Sequence, residues 1–235
     1  MQLSFFMTIM CFIIKISDIC TMISILTGDI VNSRRLNNQE LWLNPLKNLL
    51  SEWGNYPQHW EIFKGDYFQL EISDPLQSMR AALRIKALIR SLEISDQQKR
   101  KSDIDVRIAI GIGEKEYVSG RISESNGSAF VYSGEKYEML KKEKITLAVK
   151  SGWENFDKEI NLYLKLAVSY MNKWSYSSAE IANTLLKNPH KTQAEIGQQL
   201  GIEQNSVSGR YTRANLEEIL EVEQMFKEKL GRLLT

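Results

Sequence analysis

A chain of 235 residues that is 43% hydrophobic and 25% charged holds enough apolar side chain for one sizeable core and a smaller one, which excludes an intrinsically disordered protein. Lys and Arg total 30 against 29 Asp and Glu, so no protein-wide field draws the chain onto a polyanion, and a nucleic-acid contact has to come from a local patch. Both cysteines, Cys11 and Cys20, fall in the first stretch of the chain, which leaves no disulfide framework or zinc spacing and points to a reducing, cytoplasmic setting.

The opening LSFFMTIMCFII is apolar but stops at Lys15, short of the ~20 residues that span a bilayer. It also lacks the basic start and small-residue cleavage site of a secretory signal, so no membrane partner is expected. Met22 follows closely. Residues 1–21 read equally as a leader upstream of a start at Met22 and as an element packed on the first domain.

From Met22, ISILTGDIV reads as a continuous apolar strand ending at Asp29 and the turn-forming Asn32 and Ser33. Between Asn38 and Trp53, Leu41, Leu43, Leu46, Leu49 and Leu50 recur at helical spacing. HWEIF and YFQLEI are two short strands joined by Lys64-Gly65-Asp66, which is tight-turn chemistry and predicts a hairpin. Asp74 then reads as an N-cap with Pro75 behind it, opening a long amphipathic helix to Leu92. DVRIAIGIG puts Val106, Ile108, Ile110 and Ile112 on one face of a strand, with Gly111 and Gly113 marking a close backbone approach. A helix over Ala129–Lys141 and a strand KITLAVK complete the order β-α-β-β-α-β plus a further α-β, a ferredoxin-like split βαβ arrangement. After Lys150 only helical period and turn signals remain, which predicts a boundary near Ser151-Gly152.

In that topology the first strand and the hairpin lie side by side, so Asp29 at a strand end and Asp66 at the hairpin tip converge on one edge. Two carboxylates suit Mg²⁺, a hard cation that takes one or two of them plus phosphate oxygens and water. Arg34 and Arg35 follow Asp29 closely enough to meet a phosphate, although paired arginines after a turn are usually solvated. Taken singly, a Gly-Asp turn and a strand-terminal Asp both have ordinary backbone explanations. His59 and His190 have no metal-ligand spacing, and no Ser/His/Asp or Cys/His nucleophile can be assembled.

The motifs GDIVNSRR, KGDYFQLE and RIAIGIG together resemble the palm domain shared by class III nucleotidyl cyclases and diguanylate cyclases. With the stretch NGSAFVYSGEKYEML and the C-terminal motif below, most of the chain from Met22 onward is similar to the bacterial SatD family. The resemblance implies that Asp29 and Asp66 are metal ligands, that Ile30 lends its backbone carbonyl, and that Gly65 lets substrate phosphates approach the hairpin with Lys64 beside it. The pattern also departs from the cyclases. Ile62 stands where a base-reading lysine is expected, and Tyr132, Ser133, Gly134 and Lys136 occupy the place of the transition-state asparagine and arginine. A SatD-like Ala-Arg pair is replaced by Ser133-Gly134.

KTQAEIGQQLGIEQNSVSGRYTRANL is the sharper local signal. Thr192 and Glu195 form a capping box, Gly201 breaks the helix, Ile202 plugs the corner, and Val207 and Tyr211 lie on the buried side of a second helix. This is helix-turn-helix spacing over roughly residues 191–214, similar to sigma-factor-like regulators. Docked in a major groove, the second helix would offer Gln204, Asn205, Ser208 and Arg210 to base edges, with Arg213 or Thr212 on phosphate. Glu217, Glu218, Glu221 and Glu223 follow at once and keep the basic patch small. Leu216, Ile219, Leu220, Phe226 and Leu230 mark a last helix expected as core or as the seam of a homodimer. Ahead of the motif, Trp153, Phe156, Ile160, Leu164, Ala167, Tyr170 and Trp174 predict a long helix joining the two parts.

The expected architecture is therefore α+β: a ferredoxin-like, palm-type domain over 22–150 and an all-α helix-turn-helix domain over 151–235. The leading expectation is a DNA-binding regulatory protein whose palm-like domain binds a nucleotide or metal–nucleotide ligand. The alternatives are a Mg²⁺-dependent nucleotidyltransferase or cyclase using Asp29 and Asp66, and a non-catalytic partner-binding protein.

Overall fold

The computed structural model describes residues 21–33, 38–63, 65–92 and 104–235. The expectations attached to residues 1–20, Arg34, Arg35 and Lys64 lie outside the described residues. Within them the chain is mixed α+β, with one five-stranded sheet and eight α-helices. The strands are β1 (Thr21–Val31), β2 (Trp60–Phe63), β3 (Tyr67–Ile72), β4 (Asp105–Lys115) and β5 (Leu147–Lys150). The helices are α1 (Glu40–Leu50), α2 (Ser78–Arg90), α3 (Ser128–Glu143), α4 (Glu154–Met171), α5 (Tyr176–Lys187), α6 (Gln193–Leu200), α7 (Gln204–Arg213) and α8 (Leu216–Leu234).

The sheet runs β2-β3-β1-β4-β5. β3 is inserted between β2 and β1, and every pairing is antiparallel except that of β4 with β5. β1 is the central strand, and its middle six residues are buried because both faces of the sheet are covered. On one face Leu26, Ile30, Phe68, Leu70 and the set Val106, Ile108, Ile110 and Ile112 meet α1 and α2. On the other, Ile23, Ile25, Ala109 and Ala148 meet α3. Glycine permits this second contact: a Cβ at Gly111 would lie 2.2 Å from the Ala129 carbonyl oxygen, and one at Gly113 would lie 2.7 Å from the Ala129 nitrogen. α3 therefore rests almost backbone to backbone on β4.

Two details depart from the sequence reading. In α1 it is Trp42, fully buried, that points inward, while Leu41 is 42% exposed. Asp74 does cap, accepting from the Leu76 N–H at 3.1 Å, but it caps a 3₁₀ turn over Pro75–Gln77 that precedes α2.

The last strand ends at Lys150, and from Glu154 the chain is helical. One apolar core nevertheless runs from the sheet into these helices, since α2 packs on α5 and α5 on α7. Charge reinforces the seam. Lys86, 1% exposed, donates to Asp105 Oδ1 at 2.8 Å, and Arg90 Nη1 donates to Asp105 Oδ2 at 3.0 Å. Lys86 also reaches Thr146 and Asn172, Arg90 reaches the Asn172 and Trp174 carbonyls, and the Trp174 indole N–H donates to the Ala214 carbonyl at the end of α7. Arg80 makes two bonds to the buried carboxylate of Glu223 on α8, at 2.8 and 2.7 Å. Among the described residues no helix is long and apolar enough to cross a membrane.

Candidate functional site

β1 carries Asp29 to the α3 side of the sheet, because residues at odd positions along this strand face α3 and those at even positions face α1 and α2. The hairpin then returns beside it. Asp29 is in register with Tyr67, and the Ile30 N–H donates to the Asp66 carbonyl at 3.2 Å. Asp29 near the end of β1 and Asp66 in the turn leading into β3 are thus neighbours along the backbone at one end of the sheet. Burial raises the Asp29 pKa, and the Asp66 charge adds a smaller rise of its own. The Ser33 hydroxyl fixes Asp66 by donating to Oδ2 at 2.6 Å. Gly65 has φ +92 with open space where a Cβ would lie, so the turn needs glycine for its backbone angle and leaves the tip unobstructed.

Asp29 is not a bare carboxylate. Arg107, its register partner on β4, places one guanidinium nitrogen 3.2 Å from Oδ1 and 3.5 Å from Oδ2. The Tyr137 hydroxyl of α3 acts on the same group, and Lys141, one turn on, stacks over the Tyr137 ring at 4.3 Å. The Asp29 pKa is raised above the ordinary carboxylate value, first by burial; the Arg107 charge and the Tyr137 hydroxyl oppose this. Burial and the Asp29 charge push the Tyr137 phenol far up, so it stays a neutral donor. Tyr67, shifted up by burial, meets Tyr137 edge to face at 5.3 Å and closes the cluster. The Arg107 Nε is buried without a partner among the described residues.

The donor set is hard oxygen, which suits a divalent cation of the Mg²⁺ class, but it amounts to two carboxylates: among the described residues no group of three or more His, Cys, Asp or Glu is placed to hold a metal. A cation at Asp29 would also have to loosen the Arg107 pair. The sequence reading missed Arg107, Tyr137 and Lys141 as members of this cluster. The available signal was a single arginine interrupting an apolar strand two residues before Ala109, and its partner emerges only from strand register.

Along α3, Gly134 lies mid-helix, and a Cβ there would meet nothing within 4 Å. Gly134→Ala should therefore raise stability by about 0.5–1 kcal/mol through the unfolded-state entropy that glycine carries. Urea unfolding checks this, and an unchanged or lowered midpoint would contradict it.

The stretch read as a helix-turn-helix forms two short helices, α6 and α7, joined through Gly201. The Thr192 hydroxyl accepts from the Glu195 N–H while the Glu195 carboxylate accepts from the Thr192 N–H, completing the capping box, and Gly201 turns the chain at φ 65. Val207 is buried and seats α7, and Gln204, Asn205, Ser208 and Arg213 are exposed. Arg210 differs: its guanidinium is held 2.6 Å from Glu180 of α5, so it fastens α7 to the bundle rather than standing free for a base edge. No family model matches the chain, and no curated protein matches it either.

Proposed function

We propose that this chain is a DNA-binding regulatory protein: its sheet layer binds a divalent-cation–nucleotide complex at Asp29 and Asp66, and its helix-turn-helix reports that binding to DNA. The observation that carries the reading is the physical continuity of the two parts. Asp105 stands two residues along β4 from Arg107. From it, buried ion pairs and hydrogen bonds lead through Lys86, Arg90 and Trp174 to the carbonyl of Ala214, where α7 ends. A shift of β4 at the acidic site therefore bears on the recognition helix without a flexible linker between them.

The ferredoxin-like, palm-type reading is supported by the strand order β2-β3-β1-β4, to which β5 is an addition. The SatD-like reading rests on the same sheet joined to the C-terminal helix-turn-helix, and a cytoplasmic setting belongs to the same proposal. At the site a bound cation would supply charge neutralisation for phosphate oxygens. Asp29 and Asp66 would hold it, the backbone at Ile30 and Gly65 would border it, and Arg107 and Lys141 would turn toward the phosphates. On α7, Gln204 and Asn205 suit adenine edges, Ser208 either base pair, and Arg213 a phosphate.

Titration calorimetry of the full chain with Mg²⁺ and each nucleoside triphosphate tests the ligand half. Wild type should bind, and Asp66→Ala should lose roughly tenfold or more in affinity, a second-ligand effect of about 1.4 kcal/mol. No heat in wild type would remove the nucleotide site. Product formed during the incubation would move the assignment to the nucleotidyltransferase alternative.

A further inference from the structure

We propose that the face formed by α4 and α8 binds a second copy of this chain through a two-fold, self-complementary contact. The two helices pack antiparallel. Near one end Phe156 meets Phe226 with ring centroids 5.7 Å apart and Lys229 pairs with Glu159 at 2.9 Å; toward the other end they diverge into a groove of about 320 Å³. The inward stripe of α4, Phe156, Ile160, Leu164, Val168 and Met171, is spent on the core. A second apolar stripe is not. Leu162, Leu166 and Tyr170, each one turn from the next, are 57%, 59% and 41% exposed, and Met225 across the groove is 38% exposed. A helix face that ends in water is ordinarily polar, and contiguous apolar exposure of this kind marks an interaction surface.

Charge identifies the occupant. The α8 wall of the groove carries Glu218 and Glu221, exposed and without an ion-pair partner among the described residues. On α4, helical spacing turns Tyr163 and Ala167 toward α8 and puts Lys165 on the far side of the apolar stripe. Lys165 too is exposed and unpaired among the described residues. The face thus has an acidic flank, an apolar centre and a basic flank. A two-fold axis along α4 in the plane of such a face lays apolar stripe on apolar stripe and sets Lys165 of each copy against Glu218 and Glu221 of the other. A nucleic acid or an acidic partner would be repelled by the α8 flank, and a membrane surface offers nothing for paired glutamates. The contact begins where α7 ends, so pairing would carry two recognition helices on one particle at a fixed separation.

Sedimentation equilibrium of the full chain tests the contact. Wild type should dimerise, and Leu166→Glu should weaken association roughly a hundredfold with the circular dichroism spectrum unchanged. Lys165→Glu alone and Glu218→Lys/Glu221→Lys alone should each weaken it, while an equimolar mixture of the two variants should dimerise again. Restoration on mixing cannot come from misfolding. A wild type monomeric at every loading concentration overturns the proposal, as does a dimer indifferent to Leu166→Glu and to both charge variants.

Discussion

Asp105→Ala should lower stability by about 3–5 kcal/mol, the cost of breaking a buried ion pair on one side only. Lys86 and Arg90 are 1% and 3% exposed, and Asp105 is the carboxylate that both contact. Their remaining partners, Thr146, Asn172 and the Trp174 carbonyl, are neutral dipoles. The Lys86 pKa is already below the ordinary lysine value because of burial, with Asp105 opposing the shift. Once Asp105 is gone, burial acts unopposed and the pKa falls further. Between that lowered value and the ordinary 10.5 the unfolded chain binds more protons than the native one, so the variant's stability should rise with pH on the alkaline side. Urea unfolding at neutral and alkaline pH measures both effects. A loss under about 1 kcal/mol, the scale of an exposed pair, would mean that the seam is hydrated and not a rigid joint.

Under the proposed DNA-binding role, changes on the exposed face of α7 should act on DNA and leave the fold intact. Asn205 and Arg213 are exposed, and neither takes part in seating α7. Asn205→Ala should relax base preference at one position by about 1–3 kcal/mol, roughly ten- to a hundredfold in relative affinity. Arg213→Ala should weaken binding evenly across sequences and reduce the slope of log affinity against log salt by about one. Arg210→Ala should behave differently, because its guanidinium holds Glu180 and its loss loosens α7 on α5. Fluorescence anisotropy with duplexes of several sequences over a salt series separates the three. Equal effects from Asn205→Ala on every sequence would exclude base reading by that side chain.

How much of this was legible beforehand depended on whether the cause was local. The β1 strand, the Gly-Asp hairpin and the α6–Gly201–α7 motif follow from period, turn chemistry and capping, all set within a few residues. So does the close approach at Gly111 and Gly113. The pairing of Asp29 with Arg107 depends on the register of β1 against β4, which no short window contains. Lys86 and Arg90 belong to a helix whose apolar period was legible, but their burial comes only from the packing of α2 against the helical layer, which no local pattern contains. α5 escaped notice because YSSAEIANTLLK is short and opens with serines; the Ser175 cap and contacts with α2 and α7 stabilise it. Tyr170 showed the converse. It fitted the apolar period of α4 yet lies on the outer stripe.

The claim at the centre is that a ligand held by Asp29 and Asp66 changes what the helix-turn-helix does on DNA. Its most direct test is enrichment of genomic fragments by the full chain at low salt, with and without Mg²⁺ and a mixture of nucleoside triphosphates, in wild type and Asp66→Ala. A discrete set of sequences should be enriched, with occupancy that responds to the ligand in wild type and is indifferent to it in Asp66→Ala. Recovery no different from bulk genomic DNA, or an identical ligand response in both proteins, would contradict it.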